Sequence, residues 1–171
     1  AVTVGVLGGG DPRRAVAVRD GVLAAIREGR LDVMPRRRLP GAGLPGVAIV
    51  AAGPGDPDLV TVRGRRLLAH ADVVVADRLA PRALLAELGP EAEIVDAATL
   101  SLGGATAQEV INDTLVRHAL AGRFVVRLKG GDPFGSGRSS EEVVACVQAG
   151  VPVTVVPGVT SAIATAARSQ G

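Results

Sequence analysis

The chain has 171 residues and a formal net charge of +2, and 47% of its residues are hydrophobic and 21% charged. Its mean hydropathy is +0.34. This length and apolar content are typical of a compact globular domain and exclude an intrinsically disordered chain. The aromatic residues are two phenylalanines, without tryptophan or tyrosine, which excludes a site that stacks nucleic-acid bases on aromatic rings.

Cysteine and histidine are scarce. One cysteine, Cys146, and two well-separated histidines, His70 and His118, provide neither a disulfide framework nor a Cys/His zinc site. We therefore predict no metal site and a reducing compartment. The longest apolar runs, residues 47–52 and 151–156, have the length of strands and fall far short of the ~20 residues that a membrane span needs. We expect a cytoplasmic protein without a membrane partner.

The net charge is unevenly distributed. Residues 1–46 carry eight arginines against four acidic residues, whereas residues 47–171 carry eleven basic and thirteen acidic residues. The densest basic cluster, Arg36 to Arg38, lies in a stretch rich in proline and glycine. Such a run is more typical of a solvated linker than of a nucleic-acid-binding surface, so we expect no nucleic-acid partner.

The first segment reads as a single β-α unit. The pattern predicts a strand over residues 2–7, a glycine-rich turn, and a helix over 12–28 that has proline in its first turn and Gly29 after its end. A linker follows to about residue 46. We therefore predict an N-terminal arm with linker over residues 1–46 and an α/β domain over residues 47–171.

From residue 47 onward, strand and helix patterns alternate. The five repeats predict an α/β fold with a five-stranded, mainly parallel sheet and helices on both faces. In such a sheet the loops that follow the strands lie at one edge, where ligands bind. The predicted strands cover 47–52, 73–76, 94–95, 124–128 and 151–156, and the predicted helices cover 59–70, 81–88, 106–121 and 141–149.

The unusual residues cluster in four loops after predicted strands. Neither Gly8-x-Gly10 nor Gly53-x-Gly55 is completed to a GxGxxG motif, and no GxxxxGK[ST] or GxSxG motif occurs, so dinucleotide, triphosphate and serine-hydrolase sites are weakly supported. Loops rich in glycine and proline let a flat ligand approach the backbone closely, although ordinary β-α turns have the same composition. We call them loop 1 (residues 53–57), loop 2 (77–79), loop 4 (129–135) and loop 5 (157–161).

The strings GPGDPDLVT, DRL, RLKGGDPF and PGVTSA, in this order and spacing, resemble the tetrapyrrole methylases. Within that family the resemblance is to the uroporphyrinogen-III C-methyltransferase module of siroheme synthases, and it runs from about Val47 to Ala164. RLKGGDPF argues against an RNA or diphthamide-type methylase of the same fold. Residues 1–31 are similar, more loosely, to the end of the precorrin-2 dehydrogenase and dimerisation region of those synthases, which implies a homodimer.

The resemblance implies C-methylation of uroporphyrinogen III to precorrin-2, in siroheme and cobalamin biosynthesis. The cofactor implied is S-adenosyl-L-methionine, with S-adenosyl-L-homocysteine as product, and Asp77 matches the family's proton acceptor. The substrate is a polycarboxylate, for which basic residues are either partners or members of ordinary surface ion pairs. The residues that the resemblance matches to cofactor binding are Pro54, Gly130, Gly131, Asp132, Gly135, Thr160 and Ser161. The basic residues that are candidates for pairing with the substrate are Arg78, Arg127, Lys129 and Arg138.

The sequence departs from the family pattern in two respects. The family's catalytic lysine aligns with Thr99, and the family's second α/β subdomain is not found in these 171 residues. We therefore expect a portion of a siroheme synthase-like protein, with a catalytically incompetent dimerisation scaffold as the alternative to an active methylase. For Asp132, the alternative to a cofactor contact is capping of the next helix.

Overall fold

The structure, a computed structural model, describes residues 5–6, 9–31, 46–100, 107–135 and 138–168. The chain divides after Arg37 into two compact units. Most of the predicted strand 2–7 and all of the basic cluster 36–38 lie outside the described residues.

The first unit contains helix α1 (Pro12–Arg27), which confirms the helix predicted there. The Asp11 carboxylate accepts hydrogen bonds from two first-turn amides at 2.9 and 3.2 Å and so caps the helix. At the other end, the amide of Arg30 donates to the carbonyl of Ala25 at 2.8 Å, which satisfies a carbonyl of the last turn. Local sequence signals thus fix both ends of α1.

The second unit contains a five-stranded sheet of order β3-β2-β4-β1-β5, in which each paired strand is parallel to its neighbour. The predicted α/β fold is confirmed. The strands are β1 (Val47–Ala51), β2 (Val73–Ala76), β3 (Glu93–Asp96), β4 (Val125–Lys129) and β5 (Val153–Val156). The helices are α2 (Val62–Ala69), α3 (Arg82–Ala86), α4 (Ala107–Leu120), α5 (Ser139–Gln148) and α6 (Ser161–Arg168).

Helices cover both faces of the sheet. Because successive side chains of a strand point to opposite faces, each strand contributes to two hydrophobic clusters. Val50 and Val74 pack with α2 and α3 on one face, whereas Ile49 and Val75 pack with α4 and α5 on the other. The central strands are buried on both sides, which explains their continuous apolar sequences.

Two helical segments differ from prediction. The helix predicted over 59–70 begins later, at Val62, and a separate 3₁₀ turn at Pro57–Leu59 precedes it. Helix α2 begins late because the Thr61 hydroxyl oxygen accepts a hydrogen bond from the Gly64 amide at 3.1 Å, which makes Thr61 its N-cap. Helix α6 was not predicted at all.

The strand order brings the four loops together. Strands β2, β4, β1 and β5 are consecutive in the sheet, so loops 2, 4, 1 and 5 follow adjacent strands at the carboxyl edge. Thr99 follows the outermost strand, β3, which pairs with β2. The predicted site residues therefore share one edge of the sheet.

Candidate cofactor and catalytic site

Loops 1 and 4 are joined by their backbones. The Gly131 amide donates to the Gly53 carbonyl at 2.8 Å, and the Gly53 amide donates to the Gly131 carbonyl at 3.3 Å. Their φ angles are +74° for Gly53 and +68° for Gly131, which side-chain-bearing residues rarely adopt. This bridge fixes the position of Pro54, which is half-buried directly after Gly53.

Loop 4 is joined to loop 5 by a side chain. One oxygen of the Asp132 carboxylate accepts from the Phe134 amide at 2.9 Å, and the other accepts from the Gly158 amide at 3.0 Å. The N-cap of α5 is Arg138, so the alternative prediction that Asp132 caps the next helix is wrong. Each carboxylate oxygen keeps a further lone pair for another donor.

The glycines of loop 4 allow close approach on two sides. A Cβ on Gly130 would lie 2.6 Å from the Cβ of Leu79 in loop 2, and a Cβ on Gly135 would lie 3.0 Å from the Thr160 hydroxyl oxygen in loop 5. A Cβ on Gly131 would be 3.8 Å from the Ser161 amide nitrogen. Loop 4 is thus the centre of the arrangement, with loops 1, 2 and 5 around it.

Asp77 stands at the end of β2, next to loop 4. Its amide donates to the Leu128 carbonyl at 2.9 Å, and its carbonyl accepts from the Ala80 amide at 2.9 Å. The residue is half-buried. Among the described residues, none donates a hydrogen bond to its carboxylate, which leaves both oxygens available as acceptors.

Thr99 lies in a 3₁₀ turn at the end of β3 and is exposed. Its hydroxyl donates to the Asp96 carbonyl at 2.8 Å. This position therefore carries a neutral hydroxyl that already has an acceptor, where the resemblance places a lysine.

Arg127 and Lys129 lie inside the protein, although both were predicted to be candidates for binding a polycarboxylate. They are 3% and 5% exposed. The Arg127 Nε donates to Glu142 Oε1 at 3.0 Å, and the Lys129 Nζ lies 3.7 Å from the same oxygen. Burial lowers the pKa of Lys129, while the Glu142 carboxylate opposes that shift. The prediction that these two side chains face a substrate is wrong.

Sequence reasoning missed Glu142, which is fully buried. A signal was present, because charged residues at alternate positions of an otherwise apolar strand, as at Arg127 and Lys129, require a buried counter-ion. The other basic candidates are on the surface: Arg78 is exposed, and Arg138 pairs with Glu141 at 2.7 Å.

Two kinds of feature are absent from the described part of the chain. No group of three or more histidine, cysteine, aspartate or glutamate side chains there is arranged to hold a metal ion. Within the same residues, no helix combines the length and the apolar character that a membrane crossing requires.

The parallel sheet and the four joined loops define an α/β domain whose loops gather at the carboxyl edge, the place where sheets of this kind bind ligands. Residues 46–170 match the family of Tetrapyrrole (Corrin/Porphyrin) Methylases. The chain belongs to this family, which confirms the resemblance seen in the sequence. The match begins at residue 46, so the similarity of residues 1–31 to a dehydrogenase and dimerisation region stays a prediction.

Relatives with named activities cover the same region. The chain is 47% identical over 121 residues to a uroporphyrinogen-III C-methyltransferase of Priestia megaterium, which covers 71% of this chain and 51% of that protein. It is 47% identical over 121 residues to siroheme synthase 2 of Halorhodospira halophila, covering 71% of this chain and 24% of that protein. The chain thus spans about half the length of the first relative and a quarter of the second.

A solved methyltransferase structure is similar to the same part of the chain. The uroporphyrin-III C-methyl transferase of Thermus thermophilus, complexed with S-adenyl homocysteine, superposes with a TM-score of 0.62 at 49% sequence identity. The superposition covers 71% of this chain and 51% of that one.

Proposed function

We propose that this protein transfers a methyl group from S-adenosyl-L-methionine to carbon atoms of uroporphyrinogen III, giving precorrin-2 for siroheme and cobalamin biosynthesis. The observation that carries the proposal is the convergence of loops 1, 2, 4 and 5 at one sheet edge. Its support from outside the chain is the 49% identity to a methyltransferase structure complexed with S-adenyl homocysteine.

The residues present fit this cofactor. The amide hydrogen of Gly131 is already donated to Gly53, so Gly131 contributes space rather than a hydrogen-bond donor. The Asp132 carboxylate is fixed by two amides and keeps acceptor capacity for ligand hydroxyl groups. Thr160 and Ser161 add hydroxyl groups. The residues proposed to hold the cofactor are Pro54, Gly130, Gly131, Asp132, Gly135, Thr160 and Ser161.

The chemistry divides between cofactor and protein. When bound, S-adenosyl-L-methionine supplies a methyl group on a positively charged sulfur, whose charge disappears on transfer. Loops built from backbone groups suit that change, because they align the reactants without fixing an anion at the sulfur. The macrocycle becomes reactive at carbon as it loses a proton. Asp77 is the proposed acceptor, because its carboxylate receives no hydrogen bond from the described residues.

We further propose a cytoplasmic homodimer in which residues 1–46 form a dimerisation arm with its linker and residues 47–171 form the first subdomain of the methylase. Helix α1 supports the arm, because Val16 and Leu23, which are seven residues apart and therefore lie on one face of the helix, are exposed apolar residues. Exposed apolar residues that share a helix face suit a surface that another chain covers.

The decisive experiment replaces Asp77 by asparagine in the full-length gene product. We expect Asp77→Asn to keep the fold and the cofactor affinity, and to lower methyl transfer to uroporphyrinogen III by roughly 10²- to 10⁴-fold, because the amide preserves shape but not basicity. Asp96→Asn is the matched control. Asp96 also ends a strand, but its carboxylate caps the Ala98 amide at 2.9 Å, so its variant should stay within a few-fold of wild type. Unchanged turnover in Asp77→Asn would remove the catalytic assignment.

Thr99 favours the alternative of a catalytically incompetent scaffold, because its neutral hydroxyl stands where the resemblance places a lysine. For an active enzyme we expect Thr99→Lys to leave turnover within a few-fold or to raise it, since the exposed position has room for a longer side chain. A loss of about 10²-fold would mean that the position is misaligned. A wild-type protein that dimerises but neither binds S-adenosyl-L-methionine nor transfers methyl groups would favour the scaffold.

A further inference from the structure

Charged side chains of alternating sign lie near the carboxyl edge of the sheet, on the face covered by α4 and α5, and the last of them is Asp77. Arg127 and Lys129 occupy alternate positions of β4 and point to the face covered by α4 and α5, where Glu142 lies between them in contact with both. Asp77 follows β2, whose last residue pairs with Leu128. The four charges therefore alternate in sign in the order Arg127, Glu142, Lys129 and Asp77.

Lys129 has one carboxylate within ion-pair distance and a second beside it in the strand register. Glu142 Oε1 is 3.7 Å from its Nζ, and the Asp77 carboxylate acts on Lys129 in the same direction, raising its pKa against the larger effect of burial. The strand register supports this placement. Val75 pairs with Arg127, and residues two apart share a sheet face, so Asp77 lies on the same face as Val75 and next to Lys129. Asp77 therefore acts on the buried Lys129 ammonium group through its charge from the adjacent register position, without a hydrogen bond or ion pair between the two described side chains.

The buried charges do not balance without Asp77. Arg127 and Lys129 carry two positive charges against the single carboxylate of Glu142, and a buried charge without a partner is costly. Glu142 is held by further contacts, since its Oε1 also accepts from Gln108 Nε2 at 3.3 Å. The Glu142 carboxylate is therefore held in place between Arg127 and Lys129. The Asp77 carboxylate supplies the second negative charge that the two basic side chains require.

We propose that Lys129 is a positioning residue for the Asp77 carboxylate, and that Glu142 holds the Lys129 ammonium group in place beneath the sheet edge. This inference rests on the proposed function, in which Asp77 accepts a proton from the substrate. Lys129 is 5% exposed, so it acts through Asp77 and not by touching the substrate.

The first test is a double-mutant cycle on unfolding, which does not depend on activity. Asp77→Asn is measured in the wild type and in Lys129→Met, and we expect its effect on the unfolding equilibrium constant to differ by at least about threefold between the two backgrounds. Lys129→Met is expected to fold, because Glu142 keeps Arg127 at 3.0 Å. The matched control cycle pairs Asp77→Asn with Arg78→Met. Arg78 adjoins Asp77 in sequence but is exposed, so the two effects should add.

The second test is kinetic and uses the full-length gene product. We expect Lys129→Met to lower kcat by about tenfold or more while the KM for S-adenosyl-L-methionine stays within about twofold, because a misplaced base affects the chemical step and not cofactor binding. A purely structural role would instead raise KM and lower the melting temperature together with kcat.

The outcomes separate this inference from the proposed function. Additive effects of Lys129→Met and Asp77→Asn on unfolding overturn the positioning role, whether or not the protein is active. Coupled effects together with an unchanged kcat in Lys129→Met overturn it as well. Coupled effects in a wild-type protein without methyl transfer leave the pairing of Lys129 with Asp77 in place and overturn the proposed function.

Discussion

The Asp132 carboxylate receives one backbone amide on each oxygen, and the two amides belong to different loops. Phe134 is two residues away, so that bond shapes loop 4 itself, whereas Gly158 is 26 residues away and follows a different strand. A neutral side chain has fewer acceptor positions than a carboxylate. The aspartate is therefore required for the junction of the two loops, beyond any contact with a cofactor.

Asp132→Asn tests this junction. The asparagine offers one oxygen for two amides, so either Phe134 or Gly158 loses its partner, and we expect unfolding to become easier by about 1–3 kcal/mol. Affinity for S-adenosyl-L-methionine should fall as well, because loops 4 and 5 separate. Urea unfolding and calorimetry measure the two effects. Unchanged stability combined with weaker binding would instead indicate that Asp132 contacts the ligand without supporting the loops.

At the scale of elements, apolar strands were the most predictable. Strand β2 has the predicted bounds, β1 ends one residue earlier than predicted, and β4 is shifted by one residue, since continuous aliphatic runs of strand length are typical of a parallel sheet buried on both faces. Helix α6 was missed because the motif PGVTSA was interpreted only as a loop. The helix-forming alanines at 162, 164, 166 and 167, which end the motif and follow it, were a usable signal.

The charged part of β4 illustrates what the sequence could not provide. An acidic residue in the first turn of a helix, such as Glu142 in α5, is ordinarily a surface residue that interacts with the helix dipole. Its burial follows only from the docking of α5 on β4, which places it against Arg127 and Lys129. Loop sequences predicted which residues gather at the edge, but the bonds that join the loops depend on strand order and register.

A second ionic cluster links β3 to the end of α4 near the opposite edge of the sheet. Arg123 Nη1 donates to Glu93 Oε2 at 2.6 Å and to His118 Nδ1 at 3.1 Å, so this nitrogen of the imidazole carries no proton. Burial is the main cause that lowers the pKa of His118 below 6.5, with Arg117 next. The bond to Arg123 lowers the pKa of Glu93 below 4.5.

These two lowered pKa values predict that the folded protein loses stability as the pH falls. Because the folded pKa of His118 is the lower one, the unfolded chain binds more protons, and stability rises with pH from the folded pKa until it is complete above 6.5. Glu93 acts in the same sense at lower pH, since its contribution is present above 4.5 and is lost as the pH falls. We expect His118→Asn to flatten the stability curve in the pH range below 6.5, measured by urea unfolding. An unchanged slope would contradict the assignment.

At the scale of the whole molecule, the sheet unit is a three-layer structure whose interior includes the thiol of Cys146. The cysteine lies on α5, fully buried in the cluster formed with β1, β2 and α4. Burial, with a smaller contribution from Glu142, raises the pKa of its thiol to about 11. Since it is the single cysteine of the chain, its reactivity reports on the opening of this layer.

Labelling with an aromatic disulfide reagent at pH 8 tests that description. The thiolate is the reactive form, and a pKa of about 11 leaves roughly one thiol in a thousand ionised at that pH. We therefore expect slow labelling in buffer, and acceleration by urea with the midpoint that circular dichroism gives for loss of the sheet, because reagent access requires α5 to leave β1 and β2. A small-molecule thiol in the same buffer controls for reagent activity. Rapid labelling of the folded protein, well below that midpoint, would mean that α5 detaches locally and that the layer opens without global unfolding.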